Sequence, residues 1–378
     1  MNKKIMIIAG EASGDLHGSA LITELKKLDP ELELTGIGGS KMEKAGMEII
    51  YHIQDMAFLG FAEVVKHLPF IRKVRDTLLE KIERENIKEV VLIDYPGFNL
   101  NFARKIKARG VKVIYYISPQ IWAWGQKRIK KIRMFVDKMI VLFPFEKEFY
   151  KDAGVDVECV GHPLVERIDE YNFLSKDELY DKLSLSMDKE ILLIMPGSRK
   201  QEVERIFTDV LKGAEKIAEK YNMHIVAACS ENISEDLLHQ YSEGIEYKVA
   251  HNLNYDLLRT SKFGIIKSGT STVEAGYLQL PGIVVYRTNK LTYLIGKALI
   301  KVNNIAMANI IAGKTLFREL IQDEVTPSKI FEAADNVLSD SSVYNRLKEE
   351  LLIIKERLGE TGASKKAAEL IIAELNEA

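Results

Sequence analysis

Short apolar runs of three to six residues, each followed by an amphipathic stretch, recur along this chain in two series, and that alternation restricts its fold more than anything else in the sequence. The first series is Lys4–Ala9, Leu34–Ile37, Val90–Ile93, Val111–Tyr116 and Lys138–Leu142. Helical periodicity predicts helices between them at Gly18–Leu28, Ile71–Glu85 and Leu100–Ala108, with Leu21, Leu25 and Leu28 on the core face of the first. Strands separated by helices argue for a parallel, doubly wound sheet. Around Gly161-His162-Pro163 the pattern pauses and then restarts with Glu190–Met195, His224–Ala228, Tyr247–Val249, Phe263–Lys267 and Gly282–Tyr286. From Pro327 to Ala378 the chain reads as helical and charged. The expected fold class is therefore α/β, with two Rossmann-like doubly wound domains, an interdomain cleft and a helical C-terminal segment. The expected divisions are 1–165, 166–345 and 346–378, the last packing on the first domain or exchanged in a dimer. Ligands in such sheets bind beyond the carboxyl ends of the strands, so the residues that follow each strand carry the functional argument.

A length of 378 residues suits two domains, and 47% hydrophobic content with only 9 prolines suits buried cores rather than disorder. Cys159 and Cys229 have no CxxC or His-rich company, which fits a reduced cytoplasmic compartment and argues against a structural zinc. No apolar stretch approaches the roughly 18 residues a spanning helix needs. Ile5–Ala9 is too short for the apolar core of a signal peptide and reads better as a first strand. The net charge of −2 hides an asymmetry: residues 1–165 carry 26 basic and 22 acidic side chains, the remainder 27 and 33. Asn101–Arg133 holds ten basic residues and no acidic one, which reads either as solvated helix faces or as a surface for an anionic partner.

At the strand ends, Gly10-Glu11-Ala12-Ser13-Gly14-Asp15 follows the first strand without matching the GxGxxG fingerprint, so a dinucleotide cofactor is not expected. Ser13 and Asp15 read equally well as helix caps, whereas Glu11 has no obvious structural duty. Val90–Ile93 reads as a strand buried on both faces, and Asp94 stands at its carboxyl end. A carboxylate at the rim of an apolar site is a candidate general base; the alternative is an Asx-turn into Pro96. Both tryptophans fall in Ser118–Arg128, as core or as a binding surface. In the second series, Pro196-Gly197-Ser198-Arg199 offers turn amides, a helix start and a guanidinium, a combination suited to a diphosphate. Ser268-Gly269-Thr270 opens a second helix, with Glu274 one turn on to accept hydrogen bonds from a vicinal diol; Ser271 with Glu274 also fits a capping box. Together they describe a nucleotide-sugar pocket. No Asp-x-Asp, P-loop, HExxH or GxSxG occurs, so metal-held diphosphate chemistry is not expected and cations with helix dipoles must neutralise the leaving group.

Residues 56–75 mix large apolar side chains with cations, the composition of an interfacial membrane segment. The candidate contacts are Phe58, Leu59, Phe61, Val64, Val65, Leu68, Phe70, Ile71, Arg72 and Lys73; a helix packed on the sheet with a basic outer face is the plainer reading.

With GEASGD (10–15), the Asp94-x-Pro-x-Phe-Asn segment, SPQIWAWGQKR (118–128), LFPFEKEFY (142–150), VGHP (160–163), PGSR (196–199), SGTSTVEA (268–275) and Asn309-Ile-Ile-Ala-Gly before Glu319-Leu-Ile-Gln322, the chain resembles the bacterial lipid-A-disaccharide synthases, glycosyltransferases of the two-Rossmann-domain, GT-B type. Variants with Ala at the positions of Ser271 and Thr272 mark one departure, which does not touch Glu274. The resemblance implies a cofactor-free, metal-independent transfer from UDP-2,3-diacylglucosamine to 2,3-diacylglucosamine 1-phosphate, giving a β-1,6 disaccharide 1-phosphate and UDP. It implies Asp94 as base, Glu11 as a second carboxylate, and Ser198, Arg199, Ser268, Gly269, Thr270, Glu274 and Asn309 on the nucleotide sugar. It further implies a homodimer, no nucleic-acid partner, and a peripheral place on the cytoplasmic face of the inner membrane. Two other readings fit less well. A UDP-N-acetylglucosamine 2-epimerase has no use for the apolar-basic segment, and a non-catalytic nucleotide-sugar-binding membrane protein has no use for Asp94, Arg199 and Glu274 together.

Overall fold

The apolar runs become strands because β-branched and aliphatic side chains can be buried on both faces of a parallel sheet at once. In the computed structural model, which describes residues 3–56, 67–122, 125–289, 293 and 304–376, the chain divides into two units, Met1–Arg167 with Leu358–Ala378, and Ile168–Arg357. The return of the last residues to the first unit differs from the divisions drawn at 165/166 and 345/346: the segment 346–378 is split between the units.

The first unit holds seven parallel strands, β1 (Lys4–Ala9), β2 (Glu33–Gly38), β3 (Glu48–His52), β4 (Glu89–Ile93), β5 (Lys112–Tyr116), β6 (Lys138–Val141) and β7 (Val157–Cys159), in the order β3-β2-β1-β4-β5-β6-β7. All of β4 is buried, and its register places Ile93 beside Ala9 of β1 and Tyr116 of β5, so three strands end together. The connecting helices include α1 (Ala12–Leu28), α2 (Ser40–Lys44), α3 (Leu68–Arg84), α4 (Pro96–Lys107), α5 (Ile129–Phe135) and α6 (Pro144–Asp152). Leu21 and Leu25 are fully buried, but Leu28, the last residue of α1, is 42% exposed and does not join the core face expected of it. The C-terminal helix Ala363–Asn376 packs on α1 through Ala363, Ala367, Ala368 and Ile371.

The second unit holds β8 (Glu190–Met195), β9 (Met223–Cys229), β10 (Lys248–His251), β11 (Phe263–Lys267), β12 (Gly282–Tyr286) and β13 (Arg318–Ile321), all parallel, in the order β10-β9-β8-β11-β12-β13. Here β8 and β11 are neighbours, with Met195 paired to Ile266. Two helices matter most, α7 (Lys200–Tyr221) and α8 (Ser271–Tyr277). A third, Pro327–Leu338, crosses α7 so closely that a Cβ on Gly213 would sit 2.6 Å from Ile330. In both units the order reverses beside the first strand, the topology that opens a crevice at the strand ends.

Candidate active site

In the first unit, the end of β4 turns in a way that L-residues resist. Asp94 and Tyr95 both lie in the left-handed region, at φ 44° and 46°, which costs roughly 1–2 kcal/mol per residue. Side chains beneath the turn hold it. Asn99 Nδ2 donates to the carbonyls of Ile93 (3.2 Å) and Asp94 (2.8 Å), and the Tyr115 hydroxyl donates to the Asp94 carbonyl as well. The Asp94 amide donates to the Tyr116 carbonyl at 3.2 Å. The Tyr95 ring lies flat on Gly10, where a Cβ would come within 2.2 Å of it, and its hydroxyl donates to Met56 O at 3.3 Å. Gly10 is therefore needed for the room it leaves rather than for its torsions.

The result is a half-buried carboxyl in a fixed place. Burial is the main cause that raises the Asp94 pKa to about 7, the negative charge of Glu11 adds to it, and a hydrogen bond from the Tyr95 amide works against both. Glu11 is exposed at the start of α1. Asp15 has another job: its oxygens accept the amides of Gly39 (2.7 Å), Met42 (3.0 Å) and Lys41 (3.2 Å), capping α2 rather than its own helix. Near the end of β6, Glu146 is buried with its pKa pushed up to about 7, chiefly by burial. It accepts from the Trp122 indole (3.1 Å) and from the amides of Leu142 and Phe143, which ties the tryptophan loop to the start of α6. Trp122 thus serves packing, edge-on to Phe145 at 5.1 Å.

In the second unit, β8 runs into a turn where Gly197, at φ 108°, takes the left-handed torsion, and Ser198 and Arg199 are exposed ahead of α7. Beside it, the end of β11 leads to Gly269 and Thr270, both exposed. Ser268 is buried; its hydroxyl donates to Ile305 O at 3.1 Å. Thr272 Oγ1 donates to Gly269 O (2.8 Å) and accepts from the Ala308 amide (3.3 Å), so the segment after residue 304 braces this turn. The capping box considered for Ser271 is not formed: the N-cap of α8 is Thr270, and it makes no side-chain cap. Glu274 is half-buried and accepts from the Tyr255 hydroxyl at 3.5 Å.

Asn309 has a structural role that the sequence did not announce. Its side chain is fully buried, its Oδ1 accepts the amides of Leu316 and Phe317, and its Nδ2 donates to Phe317 O and Glu319. Every polar atom has a protein partner, so the side chain holds the 304–319 loop in shape. Among the membrane-contact candidates, Phe58, Leu59, Phe61, Val64 and Val65 lie outside the described residues. Leu68 is 39% exposed and Arg72 and Lys73 are exposed, while Phe70 and Ile71 are half-buried against the core, Phe70 edge-on to Tyr51. Among the described residues, no group of three metal-ligating side chains converges and no helix is long and apolar enough to cross a membrane.

Sequence reasoning missed the Lys267–Glu202 ion pair (2.6 Å) between the two strand-end loops of this unit. It also missed the roles of Tyr95, Asn99 and Glu146.

Comparison with known proteins gives the family and the fold. The protein of Geobacter metallireducens called lipid-A-disaccharide synthase is 39% identical over 100% of this chain and 98% of its own length. Its namesake in Myxococcus xanthus is 33% identical over 98% of this chain and 97% of its own. Among solved structures, the S. aureus MnaA–UDP co-structure superposes with a TM-score of 0.67 at 14% identity, covering 99% of this chain and 97% of that one. The calicheamicin glycosyltransferase CalG4 gives 0.60 at 16% identity, covering 99% and 97% respectively. These likenesses confirm the two-sheet fold shared by GT-B glycosyltransferases and 2-epimerases. The family model described as lipid-A-disaccharide synthetase matches residues 5–372, and the chain belongs to that family.

Proposed function

We propose that this protein is an inverting glycosyltransferase that joins UDP-2,3-diacylglucosamine to 2,3-diacylglucosamine 1-phosphate in lipid A synthesis. The observation that carries the mechanism is the strained, half-buried Asp94 at the end of β4, with a pKa raised to about 7 beside Glu11. Such a carboxylate is basic enough at neutral pH to take a hydroxyl proton as the bond forms. The acceptor 6-hydroxyl gives its proton to Asp94 while its oxygen attacks the anomeric carbon in line. The bond from that carbon to the diphosphate breaks, and UDP leaves with the electron pair. Glu11 orients the sugar and keeps the Asp94 pKa high. In the second unit, Arg199 and the backbone amides of Ser198, Gly269 and Thr270 take the charge that develops on the diphosphate, so no metal is required. Glu274 accepts from the ribose hydroxyls, Ser268 fixes the turn before Gly269, and Asn309 lies near the donor, where it holds the 304–319 loop in shape.

Acylated substrates place the enzyme at a bilayer surface, on the cytoplasmic face of the inner membrane. Exposed Leu68, Arg72 and Lys73 at the start of α3 support this, as does α5, where Met134 is 64% exposed among exposed Lys130, Lys131 and Arg133. The family resemblance also supports a homodimer. Serine at Val64, Val65 and Leu68 should release the folded protein from vesicles containing anionic lipid, read by co-sedimentation; unchanged binding moves the contact elsewhere.

The deciding experiment is a detergent-micelle assay with both acyl sugars and EDTA. Disaccharide and UDP appearing together establish the transferase and its independence of divalent metal. Folded protein that yields neither, but interconverts UDP-N-acetylglucosamine with its 2-epimer, would make it an epimerase.

A further inference from the structure

Where β8 and β11 end side by side in the second unit, three donors converge on one carboxylate. Glu202, in the first turn of α7, accepts the Ser198 amide on Oε2 at 3.2 Å. Its Oε1 lies 2.6 Å from Lys267 Nζ and 3.9 Å from an Arg199 Nη. Both members of the Lys267–Glu202 pair are largely out of water, at 17% and 16% side-chain exposure. Two of these three donors, the Ser198 amide and the Arg199 guanidinium, are groups the proposed mechanism assigns to the diphosphate. The Glu202 carboxylate is thus gathered by the donors suited to a phosphate.

Lys267 is the third donor, and neither the sequence motifs nor the mechanism above uses it. It is the last residue of β11, directly before Ser268-Gly269-Thr270. Among the described residues, a Cβ on Gly269 would have one neighbour within 4 Å, the Lys267 ammonium at 4.0 Å. The ammonium therefore stands over the face of the turn that is open for a ligand. It carries three N–H groups, of which the Glu202 contact needs one. A lysine this far out of water needs a carboxylate to balance it, and the ammonium also lies 5.8 Å from the centroid of the Tyr286 ring. An incoming diphosphate brings more negative charge than one carboxylate and accepts from all three donors.

Resting on the assignment of this unit to the UDP-sugar, we propose that Lys267 is a further diphosphate-binding residue, kept oriented by Glu202, whose carboxylate occupies the phosphate-type donors until the nucleotide arrives. Lys267 then adds a charge-assisted hydrogen bond to the leaving group beside Arg199.

The test measures binding of UDP and of uridine, which lacks the phosphates, to full-length protein by titration calorimetry and competition. Lys267→Met should weaken UDP at least tenfold, ~1.4 kcal/mol, and uridine little, so that the preference for UDP shrinks. Because Lys267→Met leaves the Glu202 carboxylate uncompensated, the double variant Lys267→Met with Glu202→Gln removes both charges and preserves the fold. The same loss of preference in the double variant supports direct contact. A return to wild-type UDP affinity would mean that Lys267 serves only to neutralise Glu202, and equal weakening of UDP and uridine would mean a displaced loop; either result overturns the proposal. Arg199→Ala separates this from the underlying site: if it weakens UDP while Lys267→Met does not, the site stands and the role of Lys267 falls. If neither variant changes UDP binding, the site assignment itself fails.

Discussion

The two strand-end regions handle charge in opposite ways. At the end of β4 the left-handed torsions fall on Asp94 and Tyr95, where a side chain resists them, and the carboxyl is desolvated beside a second acid. At the end of β8 the left-handed torsion falls on Gly197, and the nearby charges of Glu202, Lys267 and Arg199 balance one another. The proposed base role needs a carboxyl kept from water and in one place, and the strain in the first region suits that role. A cradle for a departing anion must take up charge and release it, so the second region relies on unstrained backbone and cations that have a substitute partner. In the proposed mechanism, strain marks the group that takes the proton, and charge balance marks the cradle of the group that leaves.

Breaking the first region should have the largest effect. Asp94→Asn keeps the shape and removes the base, so turnover should fall by about 10²–10⁴-fold with UDP affinity retained; a variant that loses UDP affinity but keeps its turnover would reverse the assignment. Arg199→Ala should act on the other side of the comparison, raising the donor KM and the UDP Kd by ~1.5–3 kcal/mol, the value of a hydrogen bond to a charged group. Asn99→Ala removes two hydrogen bonds from beneath the strained turn. It should cost about 1–3 kcal/mol in thermal unfolding and lower kcat more than it raises the donor KM; an intact kcat would show that the turn does not depend on it. The smallest effect should be a shift in pH dependence. With Asp94 near 7, the active form is the ionised one, so kcat/KM should rise with pH through about 7 and level off above it. Glu11→Gln removes the neighbouring charge that helps raise this value, so the rising limb should move to lower pH. A limb that stays in place would mean that burial alone sets it.

Much of this was legible in the sequence, for reasons specific to each element. β4 and β8 could be read from the sequence because strands buried on both faces admit almost nothing but aliphatic residues, as Glu89–Ile93 and Glu190–Met195 show after their first residue. The edge strands β3, β7 and β13 escaped notice because EIIYH, VEC and RELI are half-exposed and carry mixed patterns. Asp94 could be found as the residue following a buried strand, but its strain could not, since the residues that hold it come from α4, β5 and the glycine after β1. The internal partners of Asn309 were hidden as well, since only the fold brings its amide to the 316–319 backbone and carboxylate. The Lys267–Glu202 pair joins positions 65 residues apart, and no local pattern announces it.

The C-terminal helix Ala363–Asn376 lies on α1, closing a unit that begins at the other end of the chain. During synthesis the second unit, Ile168–Arg357, is complete before that helix has been made. A nascent chain therefore carries a first sheet whose α1 still lacks its cover of Ala363, Ala367, Ala368 and Ile371. The unit that holds Asp94 is the last to mature, although most of it is translated first. A ribosome that stops before Leu358 would release a complete second unit joined to an unfinished, aggregation-prone first one.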